Sequence, residues 1–273
     1  MSVLVETPDV TQSRTGCNRM AKSALVPADT AIELQPPTEF TSAADFFPPR
    51  LSLPALRKAA AVCKACDLWL TGKQTVFGEG KRGAELMFVG EQPGNEEDQE
   101  GRPFVGPSGR LLDAALDAAS IDRSLVYVTN AVKHFKWEGA GKRFAHGMPS
   151  KSTAPERKLH ATPSRAEQRA CRPWLAAEVR VVHPRLLVCL GATAAHAVMG
   201  PKFRVTKDRG KAAAPSEDFI AELDGVEELT VMATVHPSSV LRMPTAADRE
   251  RERKAFFKDI AVAGRYLAGE RGR

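Results

Sequence analysis

The chain has 273 residues, 43% of them hydrophobic, and a formal net charge of +6 at pH 7. This length allows one large domain or two small ones with a buried core. No apolar run approaches the roughly 18 residues that would span a membrane. Glu6 and Asp9 stand where a secretory signal would be apolar. We therefore expect a cytoplasmic protein with no membrane partner.

The charge is distributed unevenly along the chain. Residues 1–50 carry four Lys/Arg against six Asp/Glu, which leaves +8 on the remainder. A basic body of this kind suggests a polyanionic partner. Residues 1–49 lack periodicity and are interrupted by prolines, so we predict a largely disordered extension there. The predicted domain covers residues 50–268, and residues 269–273 form a short tail.

Four apolar runs predict buried strands, and helical patterns lie between them. The strands are predicted at 86–89, 125–130, 185–191 and 229–235. Helices are predicted after residues 107–109, from a capping box at Ser164 to about Val182, over 192–199 and over 246–267. This alternation predicts an α/β fold with a parallel sheet covered on both faces. The acidic, glycine-rich stretch between the first strand and its helix is interpreted as a loop.

Polar residues follow three of the predicted strands. Glu91 and Gln92 follow the first strand, Asn130 ends the second, and His236 follows the fourth. Carboxyl ends of parallel strands meet at one edge of a sheet, so we expect these residues to form a site. The Asn130 amide can both donate and accept, which matches the edge of uracil. Phe104 is either a core residue or a surface for base stacking.

Cysteine spacing suggests a metal centre. Cys63 and Cys66 form a CxxC pair, and Cys171 is a third thiol. His134 is preferred as the fourth ligand over Cys189, which lies in an apolar run, and over Cys17. The competing interpretation is a redox-active or incidental CxxC.

The segment 142–169 is basic, with seven Lys/Arg against two Glu. It is either a solvated loop or a segment that follows the phosphates of a nucleic acid. It contains two similar stretches, one with His146 and one with His160.

Taken together, these motifs resemble the uracil-DNA glycosylase superfamily, in its iron–sulphur branch. The motifs that carry the resemblance are Cys63-x-x-Cys66, Gly90–Gly94, Pro103–Arg110, Thr129–His134, Ala170–Trp174 and His236–Ser239. The stretch Arg157–Arg165 is similar to the Arg-rich loop of the UdgX type, which becomes covalently attached to uracil-DNA. This resemblance covers about residues 51–267.

The resemblance implies an αβα sandwich around a four-stranded parallel sheet. It also implies a [4Fe–4S] cluster held by Cys63, Cys66, His134 and Cys171. His160 would be the nucleophile that captures the deoxyribose C1′ after excision of the flipped base. The protein would act as a monomer on uracil-containing DNA, single-stranded and double-stranded.

The remaining site residues are assigned as follows. The catalytic set is His160, Glu91, His236, Gln92 and Asn95; the uracil-binding set is Gln92, Phe104, Asn130 and His236; the DNA contacts are Arg157, Lys158, Arg165 and Arg242.

Two positions depart from the UdgX pattern. The longer loop makes His146 a rival nucleophile, although only His160 stands eleven residues before Cys171 and precedes Thr-Pro-Ser-Arg. Asn95 stands where that pattern has Asp, and an amide cannot act as a base. The alternatives are therefore a glycosylase that turns over and leaves an abasic site, and an iron–sulphur protein that binds nucleic acid without chemistry.

Overall fold

The computed structural model describes residues 40–139, 158–226 and 228–269. The first half of the fold contains a 3-10 helix Ala43–Phe46, α1 Leu53–Ala60, α2 Leu68–Thr71, β1 Leu86–Gly90, α3 Asn95–Glu100, α4 Pro107–Ala118, a 3-10 helix Arg123–Leu125 and β2 Val126–Asn130.

The second half contains β3 Trp137–Gly139, β4 Lys158–His160, α5 Arg165–Val182, β5 Leu186–Leu190, α6 Ala192–Met199, α7 Val205–Asp208, β6 Ala212–Ala213, α8 Glu217–Ile220, β7 Thr230–Thr234, α9 Pro237–Leu241 and α10 Ala246–Leu267.

The central sheet has the strand order β2-β1-β5-β7-β6. The first four strands are parallel, as predicted, and the two-residue β6 joins antiparallel to β7 at the edge. Each of the four parallel strands is almost wholly buried because both faces of the sheet are covered. β3 and β4 form a separate antiparallel pair in which Trp137 lies opposite His160.

Helices pack on both faces of this sheet. On one face, α5 and α6 contribute Leu175, Val179 and Ala195 to the core. On the other, α4 and α10 contribute Leu112 and Phe256. This is the α/β sandwich that the alternation of strands and helices predicts.

A third apolar cluster lies between the start of the domain and α5. It is centred on Trp174, which is fully buried, and it includes Cys63, Cys66 and Cys171. Phe47 packs against Trp174 with 5.0 Å between ring centroids. The described fold therefore includes packed residues that precede the predicted boundary at residue 50.

The stretch after β1 departs from the sequence prediction. It is interpreted above as a loop, but residues Asn95–Glu100 form α3. Glu97 explains this helix, since its carboxylate accepts the Gly94 N–H at 2.9 Å and so caps the first turn. None of the described helices is both long enough and apolar enough to cross a membrane.

Candidate active site

A pocket of about 780 Å³ opens at the carboxyl ends of the parallel strands. Glu91 and Gln92 follow β1, Asn130 ends β2, and His236 follows β7; all four line this pocket. Open α/β sheets bind ligands at this edge because the polar loops after the strands converge there. The structure thus brings together the strand-end residues chosen from sequence.

We call Phe104, Asn130 and His236 the inner wall of the pocket. Phe104 and Asn130 are buried, with 8% and 3% of their surface exposed. The planes of the Phe104 and His236 rings are inclined by 29°, with 6.4 Å between centroids. A Cβ atom at Gly90 would stand 2.8 Å from Phe104 Cζ and closer still to Asn130 Oδ1. Glycine at the end of β1 therefore makes room for both side chains.

The backbone holds Phe104 in an unusual conformation. Its φ of +58° is in the left-handed region, which non-glycine residues rarely adopt. A Cβ at Gly109 would collide with the Phe104 carbonyl, so the first turn of α4 packs directly on this residue. Such a conformation persists only where the surroundings enforce it. The aromatic ring is thereby aimed across the pocket.

His236 is held as a neutral imidazole. The Ser238 backbone N–H donates to His236 Nδ1 at 3.2 Å, so Nδ1 is an acceptor and Nε2 carries the proton. Burial, together with the nearby Arg242 and His160, lowers the pKa of His236 to about 4. The inner wall therefore presents an N–H donor that does not carry a positive charge at neutral pH.

His160 ends β4 and lines the same pocket, and we call this strand end the outer wall. Its ring lies against Phe135 with 4.7 Å between centroids, and Nε2 approaches Gly94. Partial burial lowers the pKa of His160, and Arg242 adds to this effect, whereas the carboxylates of Glu91 and Glu97 oppose it. A neutral imidazole with an available lone pair can act as a nucleophile.

Gln92 joins the outer wall to the rest of the domain. Its Nε2 group donates to the carbonyls of Ala161 at 2.9 Å and Lys136 at 3.2 Å, and its Oε1 accepts the Lys136 N–H at 2.8 Å. Both N–H groups of this amide are thus engaged by backbone. Gln92 lines the pocket, and its hydrogen bonds position Ala161, the residue next to His160; its predicted catalytic and uracil-binding roles stay predictions.

Acidic side chains surround the space between the two walls. Glu91 accepts a hydrogen bond from the Thr193 hydroxyl at the start of α6. Glu97 accepts the N–H groups of Gly94 and Gly106, the latter at 3.0 Å, and so holds both ends of the loop around α3. Asn95, the first residue of α3, lies in the lining of the pocket. Positive charge that develops in this space would meet two carboxylates.

The predicted DNA-contacting cations occupy different places. Arg242 follows α9 and lines the pocket, and Arg165 is exposed at the start of α5 without lining it. The Lys158 ammonium lies 4.5 Å from the centre of the Trp137 ring and 3.8 Å from Asp98 Oδ2. These contacts of the Lys158 side chain tie β4 to β3 and to α3. Arg157 and His146 lie outside the described residues.

Sequence comparison assigns the family. The protein-family model described as the uracil DNA glycosylase superfamily matches residues 77–261 of this chain. This chain belongs to that superfamily. A Type-4 uracil-DNA glycosylase of Thermotoga maritima is 35% identical over 210 residues, which cover 76% of this chain and 91% of the relative. One from Sulfurisphaera tokodaii is 31% identical over 216 residues, covering 77% and 86%.

The three cysteines chosen from sequence lie together in this glycosylase-superfamily domain. Cys63, Cys66 and Cys171 share the apolar cluster around Trp174, whose indole N–H donates to Cys63 Sγ at 3.4 Å. The Lys133 backbone N–H donates to Cys171 Sγ at 3.3 Å. The rival ligand Cys189 lies in a different part of the core, on β5, and Cys17 lies outside the described residues.

His134 follows β2, in the segment whose Lys133 N–H contacts Cys171. It is 7% exposed, and its Nε2 lies 2.8 Å from the Thr75 hydroxyl. Burial lowers the pKa of His134 to about 4, which keeps the imidazole neutral, and raises the pKa of the Cys66 thiol to about 12. Free thiols that are buried without a cation are costly to ionise, and a bound metal changes that balance.

This donor set fits an iron–sulphur cluster better than a single ion. In the described part of the chain, no three His, Cys, Asp or Glu side chains converge as ligands of one metal ion. A cubane cluster has no such requirement, because each ligand binds a different iron. The kinship with Type-4 glycosylases is consistent with the predicted [4Fe–4S] cluster.

Sequence reasoning missed the residues that hold the site in place. Thr193, Glu97 and Asp98 each contact a pocket or loop residue, and Lys133 forms a buried ion pair with Glu178. A capping signal at Gly94 was available for Glu97, three positions later. No spacing rule links Lys133 to Glu178, which lie 45 positions apart.

Proposed function

We propose that this chain excises uracil from DNA and then captures the exposed deoxyribose C1′ on His160. The observation that carries the proposal is that one pocket is lined by two neutral imidazoles, His160 on the outer wall and the N–H donor His236 on the inner wall. One group is suited to assist the departing base and the other to attack the sugar. The UdgX-like covalent outcome depends on the second group.

Recognition uses the inner wall. A flipped uracil would stack on Phe104, and the Asn130 amide would accept from N3–H and donate to O4. Cytosine presents the reverse pattern along that edge, so the same amide would mismatch it. The burial of both side chains fixes them before the base arrives, which reduces the ordering cost of binding.

Cleavage breaks the bond between C1′ and N1 of the base. The electron pair of that bond moves to the uracil ring, and the His236 Nε2–H stabilises the growing negative charge on the base. The sugar becomes an electron-poor oxocarbenium. The carboxylates of Glu91 and Glu97 lie near enough to His160 to act on its charge, and they would stabilise the positive charge on the sugar.

Capture forms a new bond between C1′ and an imidazole nitrogen of His160. The nitrogen lone pair supplies the electrons, and the ring becomes positively charged until it loses its remaining N–H proton. Glu91 is the group that we assign to accept this proton. Because no water attacks C1′, the product is a histidine–deoxyribose adduct and the chain reacts once.

Turnover is the second candidate function, and the relatives favour it. Proteins named Type-4 uracil-DNA glycosylase are 30–35% identical to this chain. In that case water would capture the oxocarbenium in place of His160, and free uracil and an abasic site would accumulate. Asn95 bears on both outcomes, since its amide can hold a water molecule but cannot take its proton.

We further propose that Cys63, Cys66, His134 and Cys171 hold the [4Fe–4S] cluster. When bound, the cluster acts as a cross-link between three segments of the chain, because its ligands come from the stretch after α1, the stretch after β2, and α5. Its assigned role is structural. Iron content of four per chain and a broad visible absorption would support this assignment, and a zinc-loaded or metal-free protein would contradict it.

The DNA partner is proposed to be single-stranded or double-stranded, bound by a monomer. Arg242 lines the pocket beside Ser238 and Ser239, where a phosphate of the flipped nucleotide would lie. Arg165 and the basic segment that includes Arg157 would follow the flanking phosphates. Binding should therefore weaken steeply as salt is raised.

The test is to mix the protein with a single-stranded oligonucleotide that contains one uracil and to separate the products on a denaturing gel after heating. We expect a slower band in which protein and DNA migrate together. His160→Ala should abolish that band and still release uracil, and His146→Ala should retain it. Multiple uracils released per chain without a band would establish turnover instead, and neither product would indicate binding without chemistry.

A further inference from the structure

A buried ion pair lies directly behind the inner wall of the pocket. Lys133 is 1% exposed, and its Nζ lies 2.5 Å from Glu178 Oε2. Nζ also donates to Thr129 Oγ1 and to the Asn130 carbonyl, each at 2.7 Å. An ammonium has three protons, so every donor of this lysine is used. The position is expensive to occupy with a charge, which makes a purely space-filling role a poor explanation.

Glu178 is equally well satisfied. Its Oε1 accepts from the Gly78 N–H at 3.0 Å and from the Tyr127 hydroxyl at 2.9 Å, and both carboxylate oxygens lie 3.0 Å from Thr129 Oγ1. Glu178 belongs to α5, whereas Tyr127 and Thr129 belong to β2. The carboxylate therefore anchors the lysine to the helix that also carries Cys171.

The two ends of Lys133 touch different functional regions. Its backbone N–H donates to Cys171 Sγ, and its ammonium donates to the carbonyl of Asn130. Asn130 is the last residue of β2, where it pairs with Gly90, and the Ala131 N–H beyond it donates to the Gly90 carbonyl at 2.9 Å. The lysine adds a further constraint, because its ammonium holds the Asn130 carbonyl.

We propose that Lys133 is a positioning residue for base recognition, which fixes the Asn130 backbone so that its amide meets the uracil edge. This inference rests on the proposed function for the role of Asn130. The buried ammonium of Lys133 does not contact the base, yet it would determine the preference for uracil over other bases. The lysine acts only through Asn130, so its effect should vanish when the amide is removed.

A double-mutant cycle tests this dependence. The variants are Lys133→Met, Asn130→Ala and the pair, each measured for single-turnover uracil release and for affinity to uracil-containing against thymine-containing oligonucleotide. We expect Lys133→Met to reduce both release and uracil preference about tenfold in the native background. In the Asn130→Ala background, we expect the same change to have less than about a threefold effect.

Tyr127→Phe is the matched control. It removes a hydrogen bond from the same buried carboxylate but touches neither Asn130 nor Cys171, so we expect release and iron content close to the unmodified chain. If the unpaired Glu178 prevents folding of Lys133→Met, then Lys133→Met/Glu178→Gln replaces it throughout the cycle.

An equal loss in both backgrounds, or no loss in the native one, would overturn the proposal. If the unmodified chain releases no uracil but still prefers uracil-DNA, the proposed chemistry fails and the affinity arm still decides the role of Lys133. If it shows no preference for uracil, both proposals fail.

Discussion

The two walls of the pocket are built in different ways. The inner wall rests on the central sheet, and Phe104 and Asn130 are almost fully buried there. The outer wall is a three-residue strand whose one partner among the described residues is β3, and His160 and its neighbour Leu159 are exposed. The difference suggests that base recognition belongs to the core of the domain, whereas the fate of the sugar is decided by a surface strand. The predictions below separate the two.

The largest effect is expected from the inner wall. His236→Ala removes the N–H donor that faces the departing base, and loss of one such donor costs about 10²–10³ in rate. Uracil release and adduct formation should fall together, because capture needs prior cleavage. Single-turnover assays of both products would check this. A loss of the adduct with release unchanged would contradict the division between the walls.

A smaller effect is expected from the outer wall, where a substitution should reduce adduct formation without reducing uracil release. Gln92→Leu removes three hydrogen bonds that tie Ala161 and Lys136 together, each worth roughly 0.5–1.5 kcal/mol. We expect adduct formation to fall about tenfold or more, while uracil release changes little. Quantifying both products from one reaction gives the ratio. Equal losses would instead place Gln92 on the uracil side, as the sequence prediction has it.

The walls should also differ in their response to acid. The pKa of His160 is lowered from 6.5 and that of His236 is about 4. Capture needs neutral His160, so its rate should be constant above pH 6.5 and decline only below it. Release should persist to lower pH, because Nδ1 of His236 stays unprotonated until about pH 4. Coincident acid limbs for the two products would show that one group limits both steps.

The smallest effect is expected from Lys158. Its ammonium packs on Trp137 and lies near Asp98, a partly screened arrangement worth about 0.5–1 kcal/mol. Lys158→Met keeps the aliphatic stem, so adduct formation should fall only about two- to fivefold. Gel quantification at two salt concentrations would check it. A reduction in the salt dependence of DNA binding would show a phosphate contact in place of this packing role.

Much of the framework could be predicted from sequence because its signals are local. The apolar strands and the long helices α5 and α10 follow from periodicity, and the strand-end residues follow from the geometry of a parallel sheet. Helix α3 was missed because its stretch is acidic and bounded by glycines. The cap from Glu97 to Gly94, which starts that helix, depends on one side-chain contact.

The missing parts of the site depend on contacts between distant residues. Gln92 is predicted to be a catalytic and uracil-binding residue, but its hydrogen bonds to Lys136 and Ala161, which lie 44 and 69 positions away, were not predicted. The pairing of Lys133 with Glu178 likewise crosses from a strand end to a helix. Such contacts depend on how elements pack, which periodicity does not encode. His134 follows Lys133, whose N–H contacts Cys171, whereas Cys189 lies on β5; the choice of His134 as the fourth ligand stays a prediction.

The most direct measurement locates the covalent bond. The denatured protein–DNA product is digested with trypsin and nuclease, and the peptide that carries the deoxyribose is sequenced by tandem mass spectrometry. Capture on the outer wall predicts that the modified residue is His160, with one uracil released per modified chain. A modified His146, or stoichiometric uracil release with no modified peptide, would contradict it.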